Sequence, residues 1–130
     1  MRILRGIVKS GVGDAANWPL EQIRTVTGRR DLIAGTLNVR LDEPHSVKRD
    51  YTLLQASRDD GRREDLYFEE CLLLIGLKRV PALIARTSTN YHGCTVVEIM
   101  SAQHLRNNYE LNDEDIINIQ VRSADGENFV

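Results

Sequence analysis

Apolar positions recur along this chain in short alternating runs, broken by glycine, proline and charged clusters. From Arg2 to Ser10, Leu4 and Val8 fall on one side and Ile3 and Ile7 on the other, which predicts a strand partly buried on both faces. Pro19 opens a short helix with Leu20, Ile23 and Val26 as its apolar stripe, and Gly28 is placed to stop it. Trp18 stands at the start of that helix as a core or rim anchor, with a ligand platform as the competing reading. Gly35 leads into a strand in which Leu37, Val39 and Leu41 share one face and Thr36, Asn38 and Arg40 the other.

Further strands are expected over Asp50 to Ala56, Leu66 to Ile75, Val80 to Arg86, Cys94 to Met100 and Ile116 to Val121. The second and third of these are joined by a turn at Gly76 to Arg79, and Pro81 points to an edge or a bulge. Ser101 is expected to cap a brief helix through Leu105 and Arg106. Seven short strands with two small helices predict a mainly antiparallel barrel forming one domain over residues 1–130.

Composition narrows the functional classes. A net charge of −2 argues against a general nucleic-acid binder, which neutralises phosphates with clustered Lys and Arg. The 14 Arg against 3 Lys leave a small phosphorylated ligand open, because arginine suits bidentate phosphate contacts. No run is long and apolar enough to span a membrane, and Met1 to Gly6 is charged, so a cytoplasmic location is expected. Cys71 and Cys94 lack metal-type spacing and read as buried thiols. His45, in a polar turn beside Pro44, reads as solvated surface.

Three features carry candidate chemistry. The hydroxyl of Thr36 and the carboxamide of Asn38, two residues apart on a strand, point the same way and suit a hard cation or a phosphate. An ordinary polar strand face is the competing reading. Ser10-Gly11-Val12-Gly13-Asp14-Ala15-Ala16 allows a tight turn whose amides cradle a phosphate, or simply a flexible strand-to-helix connection. Glu98 shares a strand face with Cys94, Val96 and Met100, so its carboxylate is either paired with an arginine or lines a ligand cavity.

Taken in order, Val8-Lys9-Ser10-Gly11-Val12-Gly13, Gly35-Thr36-Leu37-Asn38, Tyr91-His92, Val97-Glu98-Ile99, Leu105-Arg106 and Leu111-x-Asp113-x-Asp115 resemble the archaeal CTP-dependent riboflavin kinases from about Gly6 to Val121. The resemblance implies a six-stranded cradle-loop barrel, and phosphoryl transfer from CTP to riboflavin giving FMN and CDP. It further implies nucleotide contacts at Gly11, Val12, Gly13, Asp14, Ala15 and Ala16 and at Gln103, His104, Leu105 and Arg106. It places Mg²⁺ at Thr36 and Asn38, and riboflavin or its phosphate at Asn90 and Glu98. Glu98 is then the candidate catalytic base. Where the family usually carries an aromatic and a proline, this chain has Leu32-Ile33-Ala34, and the usual Asp-Gly-Asp turn reads Asp113-Glu114-Asp115. A monomer with small-molecule partners and no nucleic acid or membrane partner is expected. A non-catalytic ligand-binding barrel, or less readily a DNA-binding one, is the alternative.

Overall fold

In the computed structural model, which describes residues 1–11, 18–57, 61, 63–88, 95–123 and 129, the polar and apolar alternation resolves into seven strands and two helices. The strands are β1 (Arg2–Lys9), β2 (Leu37–Leu41), β3 (Tyr51–Ser57), β4 (Arg63–Ile75), β5 (Lys78–Thr87), β6 (Val96–Met100) and β7 (Ile116–Val121). The helices are α1 (Leu20–Thr27) and α2 (Leu105–Asn108). All strand pairs are antiparallel in the order β3-β4-β5-β6-β2-β1-β7, and β4 also pairs with β7. That last pairing closes six strands into a barrel and leaves β3 as an extra strand beside β4. The mainly β barrel expected from the sequence is therefore the observed fold.

Strand alternation sorts the core into two clusters. Leu4, Val8, Leu37, Val39, Cys71, Leu73, Ile84, Val97 and Ile119 fill the barrel interior. The opposite faces of β4, β5 and β6 contribute Leu66, Phe68, Leu83, Ala85 and Met100 to a second cluster with Trp18, Ile23 and Leu32. Trp18 is thus a core anchor. In β6 the period of two puts Val97 and Ile99 inside the barrel, and Glu98 and Met100 on the other face. Asn38 in β2 likewise turns away from Leu37 and Val39.

Local chemistry explains the boundaries. Gly28 ends α1 in the left-handed region at φ 72°, as expected of a helix C-terminal glycine. In α1 the buried positions are Ile23 and Thr27, and Thr27 satisfies its hydroxyl on the Ile23 carbonyl at 2.7 Å. Gly76 takes φ 60° in the turn between β4 and β5. Pro81 pairs with Leu72 of β4, two residues before the pairing of β5 with β6 begins at Leu83, so an otherwise internal strand tolerates its missing N–H.

Two local expectations are corrected. Ser101 does not cap α2: its hydroxyl accepts the Gln103 N–H at 3.1 Å, and His104 occupies the N-cap position without a side-chain hydrogen bond. His45 is buried, and its Nε2 lies 2.7 Å from Oε1 of the buried Glu69. The Lys48 N–H donates to the same oxygen at 3.0 Å, so the connection between β2 and β3 is drawn in by a carboxylate invisible to local pattern. Cys71 is a buried free thiol whose pKa burial pushes well above its ordinary value. Cys94 lies outside the described residues.

Candidate active site

The oxygen-rich face of β2 is completed by β6. Antiparallel register sets Asn38 opposite Glu98, and the Thr36 hydroxyl donates to Glu98 Oε1 at 3.2 Å. Asn38 and Glu98 are each 9% exposed, so both polar groups are held on a largely desolvated surface. A buried carboxylate is tolerated when polar partners meet it, and Thr36 supplies one such partner.

Gly11 closes this cluster from the β1 side. A Cβ placed on Gly11 would overlap Asn38 Nδ2 and stand 2.9 Å from its Cγ, so any side chain there must displace the carboxamide. The approach follows from the β1–β2 register, in which Lys9 stands opposite Asn38.

Beside the cluster lies a cavity of about 290 Å³. One wall is Ile33, Ala34, Gly35 and Thr36, and the other runs from Ser101 through Gln103, His104, Leu105 and Arg106 to Asn107. The walls are stitched together where the Ile33 N–H donates to the Ser101 carbonyl at 3.1 Å. Arg24 of α1 braces the first wall from behind, its Nε and Nη2 donating to the Leu32 carbonyl at 3.0 and 2.7 Å. Gly35 turns the wall into β2 at φ 90°, a conformation that glycine adopts without strain. On the second wall the Gln103 carboxamide oxygen accepts from the Tyr109 hydroxyl at 2.7 Å and from Asn108 Nδ2 at 3.3 Å. Its amide nitrogen is left to donate elsewhere.

Thr36 belongs to both features, lining the cavity and bonding to Glu98. The candidate residues therefore converge: Gly11, Asn38, Thr36 and Glu98 form one cluster, and Gln103, His104, Leu105 and Arg106 line the adjoining cavity. Val12, Gly13, Asp14, Ala15, Ala16 and Asn90 lie outside the described residues. The Arg106 side chain is engaged with Asp113 and with the carbonyls of Lys9 and Leu111. Arg24 and Asn107 carry no signal in the sequence, because their contacts are made by packing between separate elements. Leu32 and Ile33 are visible there as an apolar pair just before the Gly35 motif.

The donor set suits a hard cation. The Thr36 hydroxyl donates its hydrogen bond to Glu98 and keeps oxygen lone pairs to offer a cation, and Asn38 adds a carboxamide oxygen on the same side of the sheet. No group of three or more His, Cys, Asp or Glu able to hold a metal occurs among the described residues.

Fold and site together define a small antiparallel barrel with a polar-lined cavity beside a desolvated carboxylate. The sequence profile of the CTP-dependent riboflavin kinase family, described as domain of unknown function DUF120, matches residues 8–121, and the chain belongs to that family. Among the described residues no helix is long and apolar enough to cross a membrane.

Proposed function

We propose that this protein transfers the terminal phosphoryl group of CTP to riboflavin, giving FMN and CDP. Family membership supports the class of reaction, and one geometric observation carries the reading. Thr36 lies on the wall of the cavity formed by residues 103–107 and is hydrogen-bonded to Glu98, so a donor seated in the cavity and an acceptor at the carboxylate meet at one hydroxyl.

The nucleotide occupies the cavity between Ile33–Thr36 and Gln103–Asn107, its phosphates directed toward Gly11. Thr36 and Asn38 would hold Mg²⁺, which when bound neutralises charge on the phosphate oxygens. Glu98 receives the proton of the terminal ribityl hydroxyl as that oxygen forms its bond to the γ-phosphorus and the bond from phosphorus to the β-γ bridging oxygen breaks. The bonding electrons leave with CDP. The Glu98 carboxylate is oriented for this by the Thr36 hydroxyl. Positioning dominates phosphoryl transfer, so the braced cavity walls matter as much as the base.

The test is incubation with riboflavin, Mg²⁺ and each of CTP, ATP, GTP and UTP, with FMN followed by chromatography. FMN formed fastest with CTP is expected. Riboflavin and CTP binding without any FMN would overturn catalysis in favour of a binding barrel.

A further inference from the structure

The connection between α2 and β7 makes more polar contacts than a surface turn requires, and they converge where the chain leaves β1. Asp113 Oδ2 accepts the Ser10 hydroxyl at 2.5 Å, and Oδ1 accepts Arg106 Nη2 at 2.5 Å. The same Nη2 donates to the Lys9 carbonyl at 3.1 Å, and Nη1 donates to the Leu111 carbonyl at 3.4 Å. Backbone bonds run beside them, from the Glu114 N–H to the Val8 carbonyl at 2.8 Å and from the Val8 N–H to the Asp115 carbonyl at 2.9 Å. Lys9 also pairs with Glu114.

These contacts add a side-chain link between two parts of the site. Arg106 belongs to the cavity wall, and Ser10 precedes Gly11, whose backbone lies against Asn38. One carboxylate therefore reaches both the wall and the corner of the chain facing the proposed cation ligands. Side chains of Arg106 and Asp113 are 39% and 49% exposed, so this ion pair adds little to global stability. Its use is geometric, because two donors on one carboxylate fix direction as well as distance. Hydrogen bonds from Ser10 and then Arg106 hold the Asp113 carboxyl below its usual range, so it is ionised throughout neutral pH.

We infer that Asp113 is a positioning residue for the nucleoside triphosphate: through Ser10 and Arg106 it sets the Ser10–Gly11 corner against the cavity wall. Nucleotide binding depends on this link, whereas the acceptor side at Glu98 does not. The inference rests on the CTP-dependent kinase reading. It differs from a purely structural role in predicting a loss confined to one substrate.

The whole chain is titrated by calorimetry with CTP and Mg²⁺, and separately with riboflavin, for the unaltered protein and for Asp113→Ala, Asp113→Asn, Ser10→Ala and the double Ser10→Ala/Asp113→Ala variant. Initial rates and thermal unfolding are measured alongside. Asp113→Ala is expected to weaken CTP binding about 10-fold, as loss of charge-assisted hydrogen bonds does, with riboflavin binding changed by less than about twofold. The CTP KM should rise with it, while kcat at saturating CTP stays within about threefold. Asp113→Asn, which keeps one acceptor oxygen, should recover part of the loss. The double variant should bind CTP no more weakly than Asp113→Ala alone, because both changes cut one link. Unchanged CTP affinity in Asp113→Ala, or equal losses for both ligands, overturns the inference. Unaltered protein that binds CTP without forming FMN overturns the kinase reading and leaves the link to be judged by the affinities. Unaltered protein that binds no CTP overturns both.

Discussion

Gly11 has no room for a methyl group, since a Cβ there would overlap the Asn38 amide nitrogen. That neighbour is the end of a side chain, so Gly11→Ala should be accommodated by displacing the carboxamide, at a stability cost of about 1 kcal/mol or less, while Mg²⁺-dependent turnover falls steeply. Magnesium titrations of the rate against urea unfolding check this split, and a variant with normal magnesium dependence would detach Asn38 from the cation. Glu98→Gln keeps shape and most of its hydrogen bonding but cannot take a proton. A rate lower by roughly 10² to 10⁴ with little change in CTP affinity is expected. Single-turnover kinetics with thermal unfolding on this one variant separate roles: a large drop in melting temperature with normal turnover per folded molecule would make Glu98 structural. At this scale the sequence singled out Thr36 and Asn38 by their shared polar strand face, and Glu98 by the opposite signal, a carboxylate on an otherwise apolar face. It gave no sign of Arg24, and it marked Asp113 only as part of a turn motif, because both side chains satisfy partners on other elements.

Between helix and sheet, α1 reaches the cavity wall through Arg24. Arg24 forks onto the Leu32 carbonyl, and Leu32 itself is 2% exposed within the second core cluster. Arg24→Met retains the stem and loses both donors, so it should cost about 1 to 3 kcal/mol and raise the CTP KM more than the riboflavin KM. Steady-state kinetics with denaturant melts read both. The turn before β7 holds the opposite lesson. Glu114 sits at φ 74°, in the left-handed region where a Cβ is strained, at the position where the family usually has glycine. Glu114→Gly removes that strain and loses only an exposed pair with Lys9, so a net gain of about 0.5 kcal/mol is expected by urea unfolding. A destabilised variant would mean that the Lys9 pair outweighs the backbone strain.

Across the whole molecule, buried and half-buried carboxylates tie the connections to the barrel. His45 is 5% exposed and Glu69 1% exposed, and removing the imidazole leaves a carboxylate in the interior with the Lys48 N–H as its remaining described donor. His45→Ala should therefore cost about 1 to 3 kcal/mol through the lost buried hydrogen bond, seen as a lower urea midpoint. On the second face Glu70 accepts from Arg29 at 2.8 Å and Tyr51 at 3.0 Å, with Arg122 3.3 Å away, linking the segment after α1 to β3, β4 and the end of β7. Burial pushes the Glu70 carboxyl up, but the Arg29 and Tyr51 hydrogen bonds and the charges of Arg29 and Arg122 together hold it below its ordinary 4.5. A depressed folded pKa contributes stability that is present above 4.5 and is lost as pH falls through the folded value. Glu70→Gln should consequently flatten the acid limb of a stability-against-pH curve below pH 4.5, and an unaltered acid limb would rule out this network as its source.

The alternation of Leu37, Val39 and Leu41, the glycine stop after α1 and the span of β7 were written in the sequence, because burial of one face and glycine's backbone freedom act over a few residues. The ordered motifs also carried the family. Tertiary structure alone decided that β4 closes the barrel on β7, that His45 turns inward, and that Thr36 stands between a cavity and a carboxylate. Each of these joins residues far apart in the chain. Local propensity sets which face a side chain takes, but only the closed barrel sets which residues meet there: Glu98 opposite Asn38 by register, and Asp113 against Ser10 across 103 positions of sequence.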